Sequence, residues 1–377
     1  MKKLKVAFCL RDMQLGGVES VLIKVLTMLQ KSKNIDLSVI TYVNIKTEIY
    51  KKFFENNADI KLYTLYPCSW LGTRLPHFFV ARILMHVLRD LYRGIKRLCG
   101  AFARFNDIDV FIDYHDFGFA SEFRRVKKAK KIAWFHSSVN VFIKRNFIKK
   151  LKYYDRLVVL TDACAHDLME LYPQAQDKIV RIYNPLNVNN VRKMADSPIN
   201  IKGKYFCCVS RLSVDKDIIT LLNGFDLFWN QNKPNVNLVI VGDGDKSKYF
   251  QQYAKNLSAK NNILFVGAQN NPYPYMKNAL ANILSSYGEG LPTVCVESGA
   301  VSTLNIASDC KYGPREILLD GLAGLLFEPG NAKQLAECLD MVWNKTIDVS
   351  SMIDSFDNAI DRFDEKQISK QIISLFS

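Results

Sequence analysis

This 377-residue sequence is short of several things, and each shortage excludes something. No apolar run approaches the roughly 20 residues that a membrane-spanning helix needs. The apolar start Val6-Ala7-Phe8-Cys9-Leu10 is cut off at Arg11-Asp12. That is too short for a secretory leader and reads as a first β-strand. The nine cysteines are odd in number and scattered, with no C-x-x-C pair. This excludes a zinc ribbon or disulfide framework and implies reduced thiols in a cytosolic chain. Eleven prolines and 18 glycines are few for this length, and no repeat or low-complexity tract occurs. With 49% hydrophobic residues, the chain is globular and long enough for two domains.

What is present begins with charge. The net charge is +14, and it is unevenly placed. Residues 1–195 hold 34 Lys and Arg against 17 Asp and Glu; the remainder holds 17 against 20. A basic front half suits an anionic surface or substrate, although many soluble proteins are basic for no such reason. One basic segment, residues 76–105, also carries a helical apolar stripe: Phe79, Ile83, Val87, Leu91, Ile95, Leu98 and Phe102. Arg82, Arg89, Arg93, Lys96, Arg97 and Arg104 accompany it, against Asp90 alone. Such a helix can lie in the interface of an anionic bilayer, or pack its apolar face into a core.

Strand and helix patterns alternate in two blocks. The first has strand candidates at 5–10, 37–43, 60–65, 108–113, 131–136 and 156–160, with helices such as 18–29 and 163–171 between them. After Asn184-Pro185 and a polar stretch, the second block has strands at 205–210, 236–241, 263–266, 281–285 and 304–308. This alternation predicts two Rossmann-like α/β domains with parallel sheets, 1–195 and 196–346. A helical segment, 347–377, is expected to pack back on the first. Ligands of such folds bind outside the carboxyl ends of the strands, and a cleft faced by both domains is the expected place.

The most telling stretch is Tyr287-Gly288-Glu289-Gly290-Leu291-Pro292-Thr293-Val294-Cys295-Val296-Glu297. A buried strand, a glycine turn and a helix start, with Thr293 as the expected N-cap, make an anion site. Carboxylates at either end, Glu289 and Glu297, suit a ligand with phosphate in the middle and hydroxyls on both sides. A nucleotide-sugar has that shape. After the first strand, Gly16-Gly17 opens a helix. The pair allows close approach of backbone to a ligand, and a plain structural turn accounts for it equally well. It is not the G-x-G-x-x-G dinucleotide fingerprint. His136 ends a buried strand and so faces the ligand crevice, where most lone histidines would be structural. After the first strand of the second block, Arg211 and Lys216 can reach one diphosphate and neutralise charge on a departing phosphate without a metal. Val241-Gly242-Asp243-Gly244 is a further strand-to-loop turn.

Together these pieces resemble the retaining glycosyltransferases of family 4, of GT-B fold, over nearly the whole chain. They are Gly16-Gly17-Val18-Glu19, His136, Ser210-Arg211-Leu212 with Lys216, Val241-Gly242-Asp243-Gly244, and Glu289 with Glu297. Residues 309–317 are similar to a stretch in bacterial members that build surface polysaccharides. The resemblance implies that Glu289 meets hydroxyls of the transferred sugar and Glu297 the ribose. It makes Arg211 and Lys216 the diphosphate pair, and Gly290, Leu291, Pro292 and Thr293 the phosphate loop. His136 would stand beside sugar and acceptor, and Gly16 and Gly17 would face the donor phosphate. No metal or other cofactor is implied. The donor would be a nucleotide-sugar, UDP-linked by family habit, carrying a hexose or N-acetylhexosamine. The acceptor would be a lipid-linked oligosaccharide or lipopolysaccharide core at the inner face of the cytoplasmic membrane. The protein would then be cytoplasmic, peripheral on an anionic membrane through 76–105, with no nucleic-acid partner. One departure is the lack of a Gly-x-Pro after Glu297, where the chain reads Ser298-Gly299-Ala300-Val301-Ser302-Thr303. A nucleotide-sugar epimerase of GT-B fold is an alternative, but it needs no basic amphipathic helix. A non-enzymatic anionic-surface binder is another, but it leaves the paired glutamates unused.

Overall fold

Val6, Ala7, Phe8, Cys9 and Leu10 are all fully buried. A strand with no exposed face needs cover on both sides, which parallel sheets flanked by helices provide. The computed structural model describes residues 3–14, 16–66, 84, 87–88, 91–92, 94–95 and 102–377. The chain divides into two units. The first is Met1–Val159 with Ala165–Ile182 and Ser369–Ser377; the second is Leu160–Cys164 with Tyr183–Ile368.

In the first unit the strands are β1 (Leu4–Leu10), β2 (Ile35–Thr41), β3 (Lys61–Thr64), β4 (Val110–Asp113), β5 (Lys130–Trp134), β6 (Arg156–Val159) and β7 (Ile179–Arg181). They form one parallel sheet in the order β3-β2-β1-β4-β5-β6-β7. The second unit holds β8 (Lys204–Val209), β9 (Val236–Val241), β10 (Ile263–Gly267), β11 (Asn282–Leu284), β12 (Asn305–Ser308) and β13 (Leu325–Phe327). Their order is β10-β9-β8-β11-β12-β13, again parallel. The chain therefore reverses direction across each sheet, between β1 and β4 in one and between β8 and β11 in the other. Loops leaving the carboxyl ends of those strands diverge, and the opening between them is where such sheets bind ligands.

The short strands β7 and β13 are additions to the pattern read from sequence; each is three residues at a sheet edge. The unit boundaries also differ from 195/196 and 346/347. Helix Val188–Met194 belongs with the second unit, where Arg192 donates from Nε to the Ala300 carbonyl at 2.8 Å and from Nη2 to Asp357 at 2.9 Å. The carboxyl-terminal helices are Val349–Ala359 and Glu365–Ser374. Only Ser369–Ser377 joins the first unit, where Lys130 Nζ donates to the Ser377 carbonyl at 2.8 Å.

Segment 76–105 lies largely outside the described residues. Of those described, Leu84, Val87, Leu88, Leu91 and Ile95 are helical and exposed by 57%, 57%, 40%, 59% and 50%. Their spacing places them along one helix face. Of the stripe read from sequence, Val87, Leu91 and Ile95 are thus exposed, whereas Phe102 packs on the buried rings of Phe111 and Phe123. The cysteines at 9, 164, 207, 208, 295, 310 and 338 are buried free thiols, and burial pushes those at 9, 207, 208, 295, 310 and 338 upward in pKa. Cys68 and Cys99 lie outside the described residues.

Candidate functional site

The expected site residues fall in loops at the carboxyl ends of the two sheets, and each unit is built separately. In the second unit, the turn after β9 packs directly on the loop after β8. Ser210 N donates to the Val241 carbonyl at 3.0 Å, Leu212 N to the Asp243 carbonyl at 3.0 Å, and Lys246 N to the Leu212 carbonyl at 3.1 Å. A Cβ on Gly242 would stand 1.9 Å from the Ser210 carbonyl oxygen, at a φ of +141°. A Cβ on Gly244 would stand 2.3 Å from the Leu212 oxygen. These two positions admit only glycine, and the turn is what fixes the backbone of Arg211.

Loop 211–216 is tied on its other side to the chain after β11. Ser285 Oγ donates to the Lys216 carbonyl at 2.8 Å, and Tyr287 N to the Asp215 carbonyl at 3.1 Å. This delivers Lys216 Nζ to within 2.6 Å of Glu289 Oε1, with the two side chains only 18% and 12% exposed. Arg211 Nη2 and Lys216 Nζ also approach one oxygen, Asp215 Oδ2, at 3.6 and 3.9 Å. Burial works against ionisation of Asp215, but the Ser213 hydroxyl, Lys216 and Arg211 outweigh it and hold the carboxyl below its usual range. Asp215 was not read from sequence as part of the site.

Gly290, Leu291 and Pro292 lead into helix Thr293–Ala300. The N-cap is Pro292, and Thr293 is the first helical residue, which corrects its expected role as the cap. A proline in extended conformation supplies no side-chain acceptor; Cys295 N already donates to the Pro292 carbonyl at 3.0 Å, which leaves the amides of Thr293 and Val294 as the ones an anion can meet. Loop 309–313 lies against this turn: a Cβ on Gly313 would come within 2.4 Å of Pro292 Cδ and 3.0 Å of the Gly290 oxygen. Glu297 is half-buried on the helix itself. The missing Gly-x-Pro is replaced by a tight exit. Ser302 takes a left-handed φ of 57°, Thr303 N bonds the Ser298 carbonyl at 3.1 Å, and Gly299 leaves room for the Phe356 ring.

In the first unit, Gly16 is extended at the start of helix Gly17–Gln30. A Cβ there would lie 2.6 Å from Glu19 Oε2, because the Glu19 carboxylate folds back under the loop. Glu19 is buried, and burial raises its pKa against the backbone amides of Glu19 and Gln14. A Cβ on Gly17 would meet nothing within 4 Å among the described residues, so none of them demands glycine there.

His136 follows β5, and its ring centroid lies 4.5 Å from that of Tyr114. Its Nε2 is buried without a hydrogen-bond partner. Burial pushes the imidazole down to about 4, the Asp116 carboxylate opposing and His115 adding to the effect. It is therefore a neutral group at pH 7. Two aspartates position it, and neither was picked out from sequence. Asp116 Oδ1 accepts from His136 N at 2.9 Å and Oδ2 from Ser137 Oγ at 2.5 Å. Asp116 and Phe117 hold left-handed φ values of 47° and 61°, conformations that cost a non-glycine residue about 1–2 kcal/mol each. The loop is held there by Asp113, fully buried at the end of β4. Asp113 accepts from Tyr154 Oη at 2.6 Å, Phe119 N at 2.8 Å and His115 N at 3.2 Å. Burial raises its pKa to about 6 against those three bonds.

Asp-x-Asp triplets, a common metal-holding pattern, do occur, at Asp107-Ile108-Asp109, Asp215-Lys216-Asp217 and Asp243-Gly244-Asp245; Asp215 accepts from the Ser213 hydroxyl and Asp217 from Thr220 N. Asp107 accepts from Lys5 Nζ, Asp109 from Lys5 N, and Asp243 from Gly244 N and the Ser247 hydroxyl. These carboxylates are engaged by the protein's own donors. His166, Asp167 and Glu170 bring ligand atoms within 4.8 Å of one another on helix Asp162–Leu171, with His166 and Glu170 exposed.

Residues 190–355, which contain the whole Arg211–Lys216–Glu289 arrangement, match the family model described as glycosyl transferases group 1. The second unit carries a group 1 glycosyl transferase domain. Among curated relatives, the chain is 28% identical over 205 residues to the N-acetylgalactosamine-N,N'-diacetylbacillosaminyl-diphospho-undecaprenol 4-alpha-N-acetylgalactosaminyltransferase of Campylobacter jejuni, covering 54% of each chain. The chain spans about half the length of the first curated relatives it matches. Among solved structures, it aligns with the lipopolysaccharide outer core galactosyltransferase WaaB in its apo form at a TM-score of 0.74 and 20% identity, covering 99% of both chains. Anabaena Alr3699/HepE in complex with UDP and glucose aligns at 0.73 and 18% identity, covering 98% of both. These likenesses identify the fold as GT-B.

Proposed function

We propose that this chain is a retaining glycosyltransferase of family 4. It moves a hexose or N-acetylhexosamine from a UDP-linked donor to a lipid-linked oligosaccharide or lipopolysaccharide acceptor at the cytoplasmic membrane face. The observation that carries this reading is the meeting of Arg211, Lys216 and Glu289 beside an uncapped helix N-terminus. Two cations and free amides suit a diphosphate, and Glu289, adjoining Lys216, suits hydroxyls of the sugar attached to it. As the sugar–phosphate bond breaks, charge on the departing diphosphate is met by Arg211, Lys216 and the amides after Pro292. Attack on the same face retains anomeric configuration, with no glutamate as nucleophile. Glu297 would hold the ribose. Neutral His136 is suited to hydrogen-bond a sugar or acceptor hydroxyl, and Gly16 and Gly17 would face the donor phosphate. This reading assigns no metal to the donor site.

The UDP and glucose named with Anabaena HepE support the donor class. The undecaprenol diphosphate acceptor in the Campylobacter relative's name and the lipopolysaccharide in that of WaaB support the acceptor class. The solvent-open face of Leu84, Val87, Leu88, Leu91 and Ile95, in a segment rich in arginine, supports contact with an anionic membrane. The test is thermal melting with EDTA against UDP, GDP, ADP and a panel of UDP-sugars. A rise with UDP and one UDP-sugar is expected, since a ligand of the native state raises the melting temperature. No rise with any of them in folded protein would overturn the donor reading. The anomeric configuration of the product, read by NMR with that donor, checks retention.

A further inference from the structure

The ligand-free donor site holds as many carboxylates as cations. Lys216 is matched by Glu289 at 2.6 Å, and Arg211 by Asp215 at 3.6 Å, with Asp215 also 3.9 Å from Lys216. The single atom Asp215 Oδ2 thus lies within ion-pair reach of both cations assigned to the diphosphate. A nucleoside diphosphate with two to three negative charges enters a cluster that is already neutral. One carboxylate must yield. Glu289 is 12% exposed and held by a close bond, whereas the Asp215 side chain is 52% exposed and can turn to solvent.

Resting on the donor-site reading above, we propose that the Asp215 carboxylate is an internal stand-in for the donor's phosphate. It occupies the cation pair between turnovers, yields to the bound diphosphate, and competes with it for return. Its effect is to weaken binding of the nucleoside diphosphate and so to speed release of the product. The geometry fits a competitor better than a structural tie. An Arg–Asp pair this exposed contributes little to stability. Its oxygens are divided, moreover: Oδ1 is held by the Ser213 hydroxyl at 2.6 Å, leaving Oδ2 aimed at the cations. Arg211 is in turn steadied without Asp215, since its Nε donates to Ser213 Oγ at 3.3 Å.

The experiment is calorimetric titration of the 377-residue chain, with EDTA, using UDP, GDP, ADP and uridine. Wild type is compared with Asp215→Asn, Asp215→Ser and, as a control for general charge, Glu337→Gln on an exposed position of helix Ala332–Trp343. Removing the charge that competes for the two cations, at a pair this exposed, should tighten UDP about five- to tenfold. Both Asp215 variants should show this; Glu337→Gln should not. Uridine, which has no phosphate, should bind all four chains alike. The variants should also lose UDP affinity more steeply with added salt, because their site carries net positive charge. UDP binding by wild type with equal or weaker binding by both Asp215 variants would overturn this inference alone and make Asp215 a support for Arg211. Failure of every chain to bind any of the three diphosphates would overturn the donor-site reading, and the inference with it.

Discussion

Lys216 and Glu289 form the most buried charge contact in the second unit's site, and its strength can be measured. Both side chains are less than one-fifth exposed, at 18% and 12%, and their charged atoms are 2.6 Å apart. Substituting Lys216→Met leaves the Glu289 carboxylate mostly buried with its cation removed. Breaking a fully buried pair costs about 3–5 kcal/mol, and the residual solvent access here reduces that to roughly 2–3 kcal/mol. For a unit of this size the loss lowers its melting transition by roughly 4–12 °C. Glu289→Gln removes the opposite charge and should cost less, since an amide oxygen still accepts from the ammonium. The double variant Lys216→Met, Glu289→Gln leaves no orphan charge, so it should be more stable than the sum of the two losses by about 2 kcal/mol. Scanning calorimetry resolves the transition of the second unit, and 1 M salt should change the coupling little because the pair is mostly shielded. Strict additivity, within about 0.5 kcal/mol, would show that the contact carries no net energy and refute the argument.

Three further variants test the backbone and the buried acid. Gly242→Ala places a Cβ 1.9 Å from the Ser210 oxygen at a φ of +141°, so one of the two loops must move. A loss of roughly 3 kcal/mol or more from the second unit's transition is expected, with loss of UDP binding as Arg211 shifts. Gly17→Ala, where a Cβ meets nothing, should melt like wild type yet weaken stabilisation by UDP-sugars; unchanged stabilisation would remove Gly17 from the site. Tyr154→Phe deletes the 2.6 Å bond to Asp113, whose pKa burial has already raised to about 6. A carboxylate raised in this way detracts from stability above its folded pKa, and the penalty fades as pH falls from about 6 toward 3.8. The tyrosine favours the ionised form, so its loss should cost more at pH 8 than at pH 5, by about 1 kcal/mol in urea unfolding. A cost independent of pH would show that Asp113 does not change protonation between pH 5 and 8, and would overturn the raised value.

Much of the fold is legible in local pattern because parallel strands buried on both faces read as continuous apolar runs. That is why Val6–Leu10 and Val236–Val241 are found from sequence. The edge strands Ile179–Arg181 and Leu325–Phe327 are too short to show a period, and each buries only one residue, Ile179 and Phe327. The same division runs through the site. Arg211, Lys216, Glu289 and Gly290–Thr293 lie next to strand ends and turn residues that announce themselves. Asp113, Asp116 and Asp215 do not, because an aspartate after a strand looks like any polar loop residue. What distinguishes the first two is set by partners far along the chain, Tyr154 for Asp113 and the His136 amide for Asp116; Asp215 is marked out by how its own loop folds Ser213, Arg211 and Lys216 around it. Asp116 is the sharpest case. Its left-handed backbone would by itself argue for glycine or asparagine, and it is held only because Asp113 anchors the loop on one side while the 136–137 turn takes up the carboxylate on the other. Strain tolerated at one residue is thus a property of several strand ends at once. A sequence read one segment at a time sees the ligand-facing residues and misses those that aim them.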